Sequence, residues 1–460
     1  LNQNVTLLGD TVLSCGTGTL TLGGTIGGAH TLTVNTCSAS SGTGGAFSTG
    51  SRLSGLTLNS DTTFTLGAAL SLDGNLTITS GTLVLADSAA TQAIDGSVSG
   101  AGTLSAAALA NGHAVSIAGD WSVASYSGTT GTIEFNGTAP QTITPNGQTF
   151  GPVVASGSGG VNLTGTATFT SLGIADGESF TLDGSAATSL TLSGTGANVL
   201  QTGTSGGFRW NASGAATSLN FSGTAPEINN GNPNGLQVIA GSTTYIASLN
   251  GASAANRVSI TGNALDLNGQ VFTLNNSTTA LGHSLMSAGS TLNLTGSNTF
   301  SGGLTVNNGS AAINTGASTL SASTFTATAG TITIDSGNVS VTSALTVNGG
   351  TLVVSGTPAT FSAGSLDHSI GTITNNAPYD LSVAGNVNVA GAFNGTVTNS
   401  TITLTGVTPQ INTATQIGNL VVASSVTGGA VVTTSSLKLA GALTVQTGGI
   451  LQDTTNDLGM

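Results

Sequence analysis

An apolar residue returns every six or seven positions, with Thr, Ser, Asn or Gly between, and this beat constrains the fold more than any other feature. In residues 331–354 four short runs follow one another: Thr331-Ile332-Thr333-Ile334, Val339-Ser340-Val341, Ala344-Leu345-Thr346-Val347 and Leu352-Val353-Val354. Turns of two to four residues separate them, and Ile332, Val339, Leu345 and Leu352 are spaced by 7, 6 and 7. Alternation with period two belongs to strands, and no sustained i, i+3, i+4 pattern of a helix competes with it. Three strands with their corners consume about 20 residues, which is the length of one coil of a parallel solenoid. Consecutive coils then stack at the strand spacing of about 4.8 Å. The expectation is an all-β, right-handed parallel β-helix with about 20–22 residues per coil, a single elongated β-solenoid over 1–460.

Composition agrees with narrow coils and tight corners. Glycine fills 70 of 460 positions, aromatics are 4% and charged residues 5%. Gly and Asn accept left-handed corners, and a thin interior needs few large rings. With 38% apolar residues the chain is not of the disordered class. It lacks the Gly period and Pro content of collagen. Four Lys and Arg exclude nucleic acid as a partner, since they offset few phosphates. The carboxylates behind the net charge of −13, such as Asp61, Asp95, Glu134, Asp266 and Asp335, are scattered and read as solubility. No apolar run approaches the length that a helix needs to cross a bilayer, so no membrane-spanning helix is expected. The sequence opens at Leu1 without Met or a signal-type stretch, and reads as a secreted product after signal-peptide removal, extracellular or at the cell surface. Only Arg52, Arg209, Arg257 and Lys438 offer tryptic sites, which suits persistence outside a cell.

Cys15 and Cys37 have no His, Asp or third Cys at zinc-ligand spacing. In an extracellular chain the default is a disulfide. Their separation of 22 is close to one coil, so they fall on neighbouring coils within disulfide reach. The expected Cys15–Cys37 bond clamps the N-terminal coils around 1–50.

A longer repeat is superimposed. Phe135-Asn136-Gly137-Thr138-Ala139-Pro140-Gln141 returns as Phe221-Ser222-Gly223-Thr224-Ala225-Pro226-Glu227 and as Leu404-Thr405-Gly406-Val407-Thr408-Pro409-Gln410. Each is followed by a hydrophobic pair: Val153-Val154, Val238-Ile239 and Val421-Val422. The blocks occupy 131–163, 217–248 and 400–432. The first two prolines are 86 apart, about four coils. Units near 90 residues also suit tandem immunoglobulin-like β-sandwiches, the alternative architecture.

Residues 291–309 read Thr-Leu-Asn-Leu-Thr-Gly-Ser-Asn-Thr-Phe-Ser-Gly-Gly-Leu-Thr-Val-Asn-Asn-Gly. This resembles the autotransporter-associated β-strand repeat through Thr295, Gly296, Asn298, Thr299, Phe300, Gly302, Gly303, Thr305 and Val306. The Pro-Gln blocks more loosely resemble repeats of bacterial adhesin-type surface proteins. The resemblance implies a secreted β-helix of the passenger type.

Chemistry-bearing constellations are sparse. Gly203-Thr204-Ser205-Gly206-Gly207 matches the G-x-S-x-G pattern, but a Gly- and Ser-rich chain makes one such match by chance. His30, His113, His283 and His368 read as surface or corner residues. Asp176 and Glu178 share a strand side at spacing two and could serve as acid and base of a β-helix carbohydrate-active enzyme. Repeated Thr-x-Thr, as at Thr77/Thr79 and Thr331/Thr333, resembles ice-binding ranks, yet outward strand positions favour Thr in any case. Asn-x-Ser/Thr sequons, such as Asn75 and Asn293, follow from the same composition. Arg209-Trp210 is the densest candidate for a glycan contact. No catalytic residue, metal ligand or cofactor is expected.

These readings converge on a non-enzymatic extracellular structural protein that self-assembles, head-to-tail or laterally, into a surface fibre, filament or layer. Asn4-Val5-Thr6-Leu7-Leu8 is the candidate self-assembly strand. The alternative is a surface adhesin binding a glycan or another cell; the further alternative is the carbohydrate-active enzyme.

Overall fold

The computed structural model describes residues 3–36, 40–44, 52–183, 187–194, the strands between 200 and 285, 288–433 and 437–453, apart from positions 19, 22, 23, 397 and 399. Every pairing between described strands is parallel, from Val5↔Ile26 at the start to Val431↔Gln452 at the end. No α-helix occurs among the described residues. The molecule is therefore an all-β parallel solenoid, and antiparallel immunoglobulin-like sandwiches are excluded. The chain forms two compact units, Leu1–Tyr245 and Ile246–Met460.

In the first unit one inward rank runs through Leu32, Leu56, Leu76, Val98, Trp121, Ile143, Leu163 and Leu182, each paired in register with the next. All eight are essentially without solvent exposure. The intervening residues point outward, as the pleat requires. The coil is not of fixed length along this rank: the step is longest from Leu32 to Leu56 and shortest from Leu163 to Leu182. Beyond it two coils are longer than expected. Phe180 pairs with Phe208 and Trp210 with Val238, and both steps are longer than any in that rank. The surplus falls between strands, so strand register is kept.

In the second unit the corresponding rank is Leu304, Phe325, Leu345, Leu366, Val387 and Ile411. The strands Thr319–Ile334, Asn338–Val354 and Thr360–Asn375 each run through a whole coil, with register shifts marking the corners. The predicted runs at 332, 339, 345 and 352 are these strands, and all four residues are buried.

The segment 291–309 supplies the better part of one coil. Leu292 and Leu294 point inward from the first strand, Asn298 and Phe300 from the second, Leu304 and Val306 from the third. Gly296 and Gly303 take φ of +65° and +93° at the two corners, a region that penalises any side chain. Asn298 is buried and its Nδ2 donates to the Thr295 carbonyl at 2.8 Å, closing the first corner from inside.

The Pro-Gln blocks share a stacking rule but not a phase. Phe135 pairs with Ala155, and Leu404 with Val422, so each block lies directly against its own following hydrophobic segment. Gln141 is buried: its Oε1 accepts from the Gly137 N–H, and its Nε2 donates to the Ile117 and Gly119 carbonyls. Gln410, its sequence counterpart, is exposed, while Pro409 and Ile411 face inward. A slip of one residue exchanges the faces of a strand. The linking corner of the middle block, at 222–226, lies outside the described residues.

Candidate functional site

The outer faces are built from the residues that alternate with the core. In the first unit Thr33, Thr57, Thr77, Ser99 and Ser122 form one outward rank. In the second, Thr299, Ser321, Ser340, Ser362, Ser382 and Thr403 form another. Amide ladders accompany them: Asn59 Nδ2 donates to Asn35 Oδ1 at 2.6 Å, and Asn314 Nδ2 to Asn293 Oδ1 at 2.9 Å. Asn388 Nδ2 donates to Asp367 Oδ1 at 2.9 Å, and Asn412 Nδ2 to Asn388 Oδ1 at 3.0 Å. Like side chains stacked at strand spacing satisfy one another, leaving these faces polar and almost uncharged.

Ionisable groups sit mainly at corners and have structural work that sequence reading missed. Asp10 Oδ1 accepts the Thr31 N–H at 2.9 Å, Asp87 Oδ1 the Ala110 N–H at 3.0 Å, and Asp120 Oδ1 the Thr142 N–H at 2.8 Å. Asn4, Asn75, Asn386 and Asn419 accept in the same way from Thr25, Ser97, Gln410 and Ala442. Each brace reaches across one coil. The spacing of an Asp or Asn from a corner one coil later is the signal that could have found them. Hydrogen bonds from the Thr31 backbone and side chain hold the Asp10 carboxyl below its ordinary value; the Ala110 N–H and then His113 do so for Asp87. His113 Nδ1 lies 2.7 Å from Asp87 Oδ1. Arg52 joins three coils, with Nη1 3.0 Å from Asp73 Oδ1 and also on Asp95 Oδ2, and Nη2 on the Leu72 carbonyl.

The sequence-predicted site residues are not brought together. Asp176 and Glu178 lie in a turn closed by Glu178 N–H to Ala175 O at 3.1 Å, so they do not share a strand side as expected. Arg209 and Trp210 stand in the strand Gly207–Asn211, in register with Thr181 and Leu182. Gly203–Gly206 of the G-x-S-x-G match and Cys37 lie outside the described residues; Cys15 follows the strand Thr11–Ser14. Within Asn4–Leu8, Val5–Thr6 pairs with Ile26–Gly27 of its own chain, Leu7 is buried and Leu8 is 91% exposed. His368 corrects the reading of the histidines as surface groups, since it is fully buried.

An open recess of about 280 Å³ lies at a corner between Thr36, Asn59, Ser60, Asp61 and Ser80, with one carboxylate and no imidazole in its lining. Among the described residues no cluster of His, Cys, Asp and Glu could hold a metal ion, and no helix is long and apolar enough to cross a membrane. At the last described strands the inward rank meets solvent. Leu443 pairs with Leu420 and Val445 with Val422; the earlier partners are fully buried, whereas Leu443 and Val445 are 39% and 45% exposed. No protein family, curated protein or solved structure matches this chain.

Proposed function

We propose that this chain is an extracellular structural protein that associates with copies of itself into a fibre or layer. The observation that carries the reading is the outward ranks of Thr and Ser, which stack like on like from coil to coil in both units and carry almost no charge. The uncharged polar faces add little repulsion between neighbouring copies. A heterologous contact between such faces generates open filaments. A Cys15–Cys37 disulfide and secretion belong to the same reading, as does kinship with autotransporter-type repeats.

The test is sedimentation and negative-stain microscopy over a concentration series. Growing filaments or sheets are expected, suppressed by Thr57→Lys with Thr77→Lys, which place charge on one outward rank. A monodisperse monomer at the highest concentration would sink the proposal.

A second reading, an adhesin, is favoured by the lengthened steps at Phe180↔Phe208 and Trp210↔Val238. Extra chain between the strands of successive coils is where solenoids carry binding loops, and Arg209 lies between Phe208 and Trp210, the residues that make these two steps. Glycan-array binding abolished by Arg209→Ala would support it; a blank array would dispose of it.

A further inference from the structure

The inward rank of the second unit that contains Val306, Ala327 and Val347 is continued by a histidine. His368 pairs in register with Val389, and all of these side chains are buried. Its imidazole packs edge-on against Phe393, with ring centres 5.1 Å apart. Nε2 lies 3.3 Å from the Gly371 carbonyl, and Nδ1 has no hydrogen-bond partner. The neighbouring coil makes room for the ring with glycine: a Cβ on Gly391 would fall 2.3 Å from Nε2. The same coil as His368 buries Asn375, whose Oδ1 and Nδ2 are both unpartnered. Two polar inward side chains with unpartnered atoms thus occupy one coil.

We propose that the coil Thr360–Asn375 is an acid-sensitive weak point of the second unit, opened by protonation of His368. The imidazolium carries two N–H donors, and the site offers one carbonyl. The second donor, and the charge with it, has no acceptor within the core, and burying such a group is costly. Backbone ladders to the coils above and below hold the strand in place, so the ring leaves the core only where the ladder parts.

The charged surroundings do not rescue the cation. On its own strand Asp367 points outward and its Oδ1 is engaged by Asn388. The adjoining strands Asn338–Val354, Val387–Val389 and Ala392–Gly395 carry no titratable side chain. On Tyr379–Val383, Asp380 is exposed and holds Thr403, and burial pushes the Tyr379 hydroxyl far above the range in question. Desolvation lowers the pKa of His368, opposed by the Gly371 carbonyl and Asp367. The sign follows. In the unfolded chain the imidazole titrates near an ordinary value of about 6.5, and in the folded coil below it. Between the two values the unfolded state binds the extra proton, so stability is full above about pH 6.5 and is lost as pH falls through the folded value.

The experiment is hydrogen exchange of the strands 360–375 and 387–395 between pH 7.5 and 5.5, corrected for intrinsic exchange, in the full chain and in His368→Val. Wild-type protection of this coil should fall by up to about tenfold per pH unit below 6.5, while His368→Val stays level. Parallel pH dependence in both proteins would overturn the proposal. Should His368→Val not fold, selective labelling of the four histidines decides. One imidazole staying neutral below the others, until its coil loses protection, supports the proposal. Four ordinary titrations with the coil intact refute it.

Discussion

The two units fill the same kind of coil in different ways. In the first, rings meet one another from coil to coil: Trp121, Tyr126, Phe150, Phe169, Phe180 and Phe208 form a continuous series with successive centroid distances of 4.9 to 6.1 Å. Trp121 Nε1 donates to Gln148 Oε1 at 3.0 Å, whereas the buried Tyr126 hydroxyl has no hydrogen-bond partner. In the second, aliphatic ranks dominate, and three successive strands of 16 or 17 residues lie in register. Among the described residues there, Phe361 meets Tyr379 and His368 meets Phe393. A ring reaches across the coil spacing, whereas a β-branched side chain packs chiefly on its nearest rank. Cohesion between coils is thus concentrated in a few side chains in the first unit and spread over many in the second.

The largest expected effect tests that contrast directly. Phe169 touches both Phe150 and Phe180, so Phe169→Ala removes contacts to two neighbours at once. A loss of about 3–5 kcal/mol is expected, against about 0.5–1.5 kcal/mol for Ile332→Val in the aliphatic stack. Urea midpoints and local hydrogen exchange report both. Equal effects would erase the distinction between the interiors.

Next in size is a corner. Gly303 sits at φ +93°, and a Cβ there would meet Thr324 Oγ1 at 2.1 Å and the Thr324 carbonyl at 3.0 Å. Gly303→Ala should cost about 1–3 kcal/mol from backbone strain alone. Raised exchange in the strands starting at Leu304 and Thr319 is the expected sign; an unchanged profile would show that the corner can relax.

The core of both units was legible because alternation and spacing report directly on which side chains face inward. Ile332, Val339, Leu345 and Leu352 were readable for that reason, and the motif at 291–309 declared its own corners. Phase was less legible. Gln141 and Gln410 follow the same Pro, yet one is buried and the other exposed, because register is set by the coil below and not by the local run. The braces made by Asp10, Asp87 and Asp120 were read as scattered charge, since their partners are backbone N–H groups a full coil away. His368 escaped because a single polar residue in an inward phase looks, in sequence, like a break in the pattern. Asp176 and Glu178 misled in the opposite direction: spacing two implied a strand, and Gly177 between them made a turn.

A smaller effect is expected at Arg52, which ties Leu72, Asp73 and Asp95 together in the first unit. Its side chain is 28% exposed and both carboxylates about half exposed, so solvent discounts the ion pairs. Arg52→Met, which keeps much of the apolar stem, should cost about 1 kcal/mol at low salt. The deficit should shrink as salt rises, because partly exposed pairs are screened. A salt-independent loss would mean that packing of the stem, and not charge, holds these coils.

The smallest effect separates carboxylate from amide corners by pH. Asp87 is held below its ordinary pKa by the Ala110 N–H and then by His113, so its folded value lies under its unfolded one. Its contribution is therefore complete above the unfolded value of about 3.9 and is lost as pH falls through the folded value. Asn386 and Asn419 do the same bracing in the second unit with a group that does not titrate. Asp87→Asn gives this corner the amide brace that Asn4 and Asn75 already supply elsewhere in the first unit. Both proteins should have similar thermal midpoints near pH 6, while the variant should lose less on acidification from pH 5 to 2.5. The outcome to watch for is an identical acid slope, which would mean that the Asp87 brace persists when protonated and that carboxylate and amide corners are interchangeable.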